Sequence, residues 1–163
     1  MTNHIYPCLW FDGQAREVAD FYCSIFPNSE IVNDSGTVVN FELNGQPFMG
    51  LNGGDLFKFN EAVSFVISCK DQEEIDYYWN NLIANGGSEG NCGWCKDKYG
   101  LSWQVVPAIL GELMSNPDKG QRVIQAFLKM KKFDIEILKN AWRWSKLKFQ
   151  KLSIYSLAKI IKC

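Results

Sequence analysis

The chain is short of the residues that most often build metal and proton-transfer centres. It has one histidine, His4, among 163 residues. It also lacks any apolar run near the ~20 residues that a membrane-spanning helix requires. The N-terminus, MTNHIYPCLWFDGQ, has neither a basic leader nor a long apolar stretch, so no secretory signal is expected and the default compartment is the cytosol. There the six cysteines should stay reduced, which argues against a disulfide framework. Low charge and low complexity are absent as well: 47% of residues are hydrophobic and 21% charged, which excludes a disordered or collagen-like chain. A folded chain of this length buries roughly 70% of the surface it exposes when unfolded, so it folds without a stapling metal.

Acidic residues are missing from one stretch only. Residues 142–163 hold six Lys/Arg and no Asp/Glu, leaving 11 basic against 18 acidic side chains elsewhere, a net of −7. An acidic body offers nothing to neutralise phosphates, so no nucleic-acid partner is expected. In the basic stretch Leu147, Ile154, Leu157, Ala158 and Ile161 give partial helical periodicity. Residues 141–163 therefore read as a basic helical or disordered tail, with membrane contact the less favoured alternative.

What is present is a repeated pattern. HIYPCLWF is an apolar, β-prone run that stops at Asp12-Gly13, a turn and helix-cap signal, and Val18, Phe21, Tyr22 and Ile25 then follow on one helical face. AVSFVISC begins the pattern again; Asp71 and Glu74 form a capping box, and Ile75, Tyr78, Trp79 and Leu82 repeat the stripe at a shift of 57. Short strands follow each helix, and Asn44-Gly45 marks a tight hairpin. Each half reads βαβββ. Such halves cannot bury a sheet face alone and should pair around one core. Asn116-Pro117 opens a further helix with Val123, Ile124, Phe127, Leu128 and Met130 on its apolar face, and Asp134 caps IEILKNAW.

The wording of these segments is specific. PCLWFDGQAREVADFYCSIFPNSEI, NGQPFMGLNGG, FKFNEAVSFVISCKDQEEIDYYW and CGWCKDKYGLSWQVVP, in that order, resemble the PhnB-like family of the vicinal oxygen chelate superfamily, which includes the glyoxalases, bleomycin-resistance proteins and extradiol dioxygenases. Members of that family often carry the name demethylubiquinone methyltransferase. The resemblance implies an α+β fold in which paired βαβββ modules form a cupped mixed sheet, with added C-terminal helices. It implies a glyoxalase-like domain over residues 1–140, with halves at about 1–58 and 59–115 and a C-terminal helix at 116–140. A homodimer is the expected assembly.

In that superfamily four strands each offer one metal ligand, and the metal polarises substrate oxygens. Counting from the helices places Pro7, Ser64, Met49 or Gly50, and Gln104 at those positions. Only Gln104 is a plausible ligand, because proline and glycine side chains have no donor and methionine is a soft ligand. His4 lies three residues before the first position, on the opposite face of a strand. No metal and no cofactor are therefore expected. The glycine cluster LNGGD follows a hairpin strand and opens no helix, unlike a S-adenosylmethionine loop.

The expected function is binding of a small organic molecule in an aromatic cup. Candidate ligand-binding residues are Cys8, Trp10, Phe48, Ser64, Trp103 and Gln104, with Val66 and Val106 beside them, although the sequence leaves open which strand face points inward. The plainer reading of these rings is core packing. The alternative is an enzyme: the methyltransferase of the family name, or a metal-independent lyase or isomerase using Gln104, Ser64, Asp12 and Cys8. Cys92-Gly93-Trp94-Cys95 has the spacing of a redox pair but sits before a hairpin rather than a helix, and reads as two small apolar side chains.

Overall fold

A computed structural model describes residues 5–143. His4 and the basic stretch from residue 144 onward lie outside the described residues, and so do the expectations placed on them.

The first module runs β1 (Cys8–Phe11), α1 (Ala15–Ile25), β2 (Glu30–Asp34), β3 (Val38–Leu43) and β4 (Gln46–Asn52). The second runs β5 (Phe65–Cys69), α2 (Gln72–Ile83), β6 (Ser88–Glu89), β7 (Trp94–Lys96) and β8 (Ser102–Pro107). Their sheets have the same order, β1-β4-β3-β2 and β5-β8-β7-β6. In each, the first strand runs parallel to the last, with Cys8 opposite Met49 in one and Phe65 opposite Trp103 in the other. This is the α+β arrangement of paired βαβββ modules that the repeat predicts. Helices α3 (Leu110–Ser115), α4 (Pro117–Phe127) and α5 (Ile135–Arg143) follow.

The described residues form two compact units: 5–64 with 81–87 and 96–102, and 65–80 with 88–95 and 103–143. In the first unit, α1 buries Ala15, Val18, Ala19, Tyr22 and Ile25. This face packs against β3 and β4, where Val39, Phe41, Leu43 and Phe48 are buried. Phe41 and Phe48 stack at 5.5 Å. Gly50 permits the close approach, since a Cβ there would stand 3.0 Å from that of Ala15. Each large side chain so buried contributes about 1.5–3 kcal/mol. In the second unit Ile75, Trp79, Cys69, Trp103 and Val105 are buried, along with Val123 of α4, Leu138 of α5 and Phe133 from the segment between those helices.

The turn chemistry acts as the sequence indicates. Asn44 and Gly45 take φ of 51° and 78° in a two-residue hairpin. Asp71 Oδ1 accepts from Glu74 N at 2.9 Å, and Glu74 Oε2 reaches back to Lys70 N at 2.9 Å. The Asn116 side chain accepts from Asp118 N and Lys119 N, with Pro117 opening α4. Asp134 Oδ1 accepts from Ile137 N at the start of α5.

Two local expectations differ, and one helix was not foreseen. Asp12-Gly13 does not cap α1; the first helical N–H, from Ala15, donates instead to Asn52 Oδ1 at 2.9 Å, a partner 37 residues away. Leu128 is exposed rather than on the core face, because α4 ends at Phe127 and the chain turns there. Helix α3 was not legible, since six residues are too few to display a helical period.

Candidate functional site

Strand alternation divides the first sheet into two faces. Leu9, Phe11, Val39, Phe41, Leu43, Phe48 and Gly50 are buried on the helix side. The residues between them form the other face. It carries Trp10, Met49 and Leu51, all half-buried, with Cys8 exposed at its margin. The register brings these together: Cys8 pairs with Met49, and Trp10 with Leu51. Val38 pairs with Leu51 from the other side, and Asn40 with Met49.

Trp10 is the fixed point of this face. Its indole N–H donates to Gly54 O at 2.7 Å, and its ring meets Phe57 edge-on at 4.9 Å. Gly53 lies directly against the ring, so closely that any Cβ would overlap its six-membered part. The glycine cluster is thus the seat of a tryptophan. It opens no helix and frees no row of N–H groups, so it does not fit the cofactor-binding loop of a methyltransferase. Asn52 completes the support, donating through Nδ2 to Gly36 O at 2.7 Å while it caps α1.

The expected ligand-binding residues separate accordingly. Cys8 and Trp10 share the open face. Phe48 turns to the helix side and stacks on Phe41. Trp103 is buried on β8, beside Phe65 at 5.6 Å. Gln104, half-buried, takes the opposite face of that strand, in register with Val66. Ser64 directly precedes β5 and is half-buried. The register also resolves the choice on β4: Met49 is on the open face and Gly50 on the core face. Leu51, Asn40 and Glu42 were missed as members of this face. Counting outward from the Asn44-Gly45 turn pairs Glu42 with Pro47 and Asn40 with Met49, and that signal was available in the sequence.

The thiols are not arranged for chemistry. No disulfide joins the cysteines of the described residues. Burial pushes the Cys69 thiol up to about 12, and the carboxylates of Glu74 and Asp71 add to the effect, so it carries no thiolate near neutrality. Cys95 is buried on β7. Cys92 sits at φ 57° with its Sγ 3.7 Å from Phe127 O. The glycine between them, Gly93, has φ 82° and no room for a Cβ against Phe133. That motif is a turn leading into β7, and its N–H groups at Cys92 and Gly93 donate to Met130 O and Lys131 O. Among the described residues no group of three or more histidine, cysteine, aspartate or glutamate side chains is placed to hold a metal ion. An open cleft of about 430 Å³ at the starts of α2 and α5 is no better as an anion site. Asp71 and Asp134 already cap those two helices.

Comparison with known proteins places this geometry in a group. A family model described as 3-demethylubiquinone-9 3-methyltransferase matches residues 3–106. A PhnB protein from Bacillus cereus is 34% identical, with a TM-score of 0.59 over 65% of this chain and 100% of that one. Protein PA1353 from Pseudomonas aeruginosa is 18% identical, with a TM-score of 0.53 over 65% of this chain and 98% of that one. The fosfomycin resistance protein FosX from Listeria monocytogenes, solved with Mn(II) and sulfate, is 18% identical, with a TM-score of 0.51 over 69% and 94%. The last two likenesses are of fold. No curated protein matches the chain.

Proposed function

This chain belongs to the 3-demethylubiquinone-9 3-methyltransferase family, and from that premise we propose that it binds a small organic molecule on the open face of its first sheet. The carrying observation is the fixed tryptophan: an aromatic ring held by a hydrogen bond to Gly54, with Met49, Leu51 and Cys8 beside it on one sheet face. Pre-set apolar surface with a few polar neighbours is the usual form of a small-molecule site. A homodimer and a cytosolic location complete it.

The test is native mass spectrometry of protein purified from its own host, paired with the Trp10→Ala variant. A small-molecule adduct present in the wild type and lost in the variant is expected. Adducts retained equally by both would remove Trp10 from the site. A stoichiometric divalent ion would restore metal chemistry.

The family name favours a second reading, methyl transfer. It needs a place for S-adenosylmethionine, and the glycine cluster does not supply one. Calorimetric titration with S-adenosylmethionine decides: measurable binding sustains this reading, and its absence ends it.

A further inference from the structure

Residues 53–59 leave the end of β4 and wrap β1, the outer strand of the first sheet. The wrap begins firmly. The N–H groups of Gly53 and Gly54 both donate to Phe11 O, at 3.0 and 3.3 Å, and Gly54 O accepts from the Trp10 indole. Beyond Gly54 the backbone of residues 55–59 makes no hydrogen bond to another described residue. Two rings attach it instead. Phe57 meets Trp10 on the open face, and Phe59 meets Phe11 on the buried face at 5.4 Å.

The two rings are held unequally. Phe59 is half-buried, whereas Phe57 is 58% exposed and its neighbour Leu56 is 74% exposed. A segment with few buried contacts and no backbone hydrogen bonds opens at low cost. Gly54 supplies a pivot. Its φ is +93°, which residues with a side chain rarely adopt, and a Cβ there would meet nothing within 4 Å. A single edge-on ring pair shifts an equilibrium by about two- to twelvefold. The contact of Phe57 with Trp10 therefore favours the closed position without locking it.

We propose that residues 55–58 are a strap that opens and closes over the Trp10 ring, with Phe57 as its latch. The proposal rests on the reading that this face binds a small molecule, and it adds an internal competitor. The Phe57 ring takes the place beside Trp10 that an aromatic ring of the ligand would take. A ligand that needs the strap open has its affinity reduced by the fraction of molecules that are open, so loss of the latch strengthens binding.

Two measurements on the full chain test this. The first is limited digestion of native protein by trypsin, with each rate divided by that of the same site in the unfolded chain. Cleavage after Lys58, exposed within the strap, is expected in the wild type and should be about twofold faster or more in Phe57→Ala. Leu56→Ala, which removes a side chain with no ring to meet, should leave the rate unchanged. Cleavage only on global unfolding, or an equal rise in both variants, would overturn the latch. The second measurement is calorimetric titration with 1-naphthol. Phe57→Ala is expected to bind it about two- to twelvefold more tightly than the wild type, and Trp10→Ala not at all. Weaker binding by Phe57→Ala would make Phe57 a wall of the site and overturn its role as competitor. Failure of 1-naphthol to bind either protein, with fast cleavage after Lys58, would overturn the binding face and leave the moving strap standing.

Discussion

At the scale of single residues, a glycine and a tryptophan explain each other. Gly53 is required because the Trp10 ring occupies the space a side chain would fill. Overpacking of this kind costs about 1–3 kcal/mol. Gly53→Ala is therefore expected to lower the unfolding free energy by that amount, seen as a lower urea midpoint at unchanged slope, and to weaken ligand binding with it. An unchanged midpoint would mean that the ring moves freely aside. Tyr22 and Asp97 are the corresponding polar pair. Asp97, 3% exposed, accepts from the Tyr22 hydroxyl at 2.6 Å and from the N–H groups of Tyr99 and Leu101. Removing one partner of a buried carboxylate leaves its desolvation uncompensated, so Tyr22→Phe should cost about 1–3 kcal/mol, read by the same denaturation. Neither pairing was visible in the sequence. Trp10 and Gly53 are 43 positions apart and Tyr22 and Asp97 are 75 apart.

At the scale of elements, long-range side chains finish what local signals begin. Helix α1 starts on Asn52 from the last strand of its own module. Loss of a capping side chain costs roughly 0.5–2 kcal/mol, so Asn52→Ala should destabilise the protein within that range and speed hydrogen exchange at the Ala15 amide. Slow exchange at Ala15 in the variant would show that another group takes over the cap. Helix α5 is held in the same manner. Gln72 donates to Phe133 O and accepts from Ile135 N, while Arg122 donates to Ala141 O and Trp142 O. The loop after β7 is clasped to α1 through Glu17, which accepts from the Tyr99 hydroxyl at 2.7 Å and from Lys98 at 3.1 Å. Burial, and then the bond to Glu17, push the Tyr99 hydroxyl up to about 12. Its folded pKa thus exceeds the unfolded value of about 10. The stabilisation is complete below pH 10 and is lost as pH rises toward 12. Tyr99→Phe should flatten the fall in stability across that window, measured by denaturation at several alkaline pH values, and an identical fall in the variant would assign it elsewhere.

For the whole molecule, the matched family region ends at residue 106, yet the helices beyond it supply core to the second unit. Phe133 packs on Gly93, and the Met130 and Lys131 carbonyls accept from the loop at Cys92 and Gly93. A chain ending at Pro107 is expected to lose the cooperative unfolding of the second unit and to bind a hydrophobic dye. A sharp transition with an unchanged midpoint would make α3, α4 and α5 an appendage. The sequence signals here were unequal. Asn116-Pro117 and Asp134 announced α4 and α5, while the packing of Phe133 could not be read from its neighbours.

The repeat, the capping residues and the Asn44-Gly45 turn were determined by the amino-acid sequence, because period, caps and tight turns depend on residues a few positions apart. From them followed the βαβββ modules. Tertiary structure decided which face each strand residue occupies. Pairing of β1 with β4 sets that choice, and a one-residue slip would reverse every side chain. Trp10 and Cys8 share the open face for that reason, while Phe48, equally aromatic in the sequence, is enclosed with Phe41.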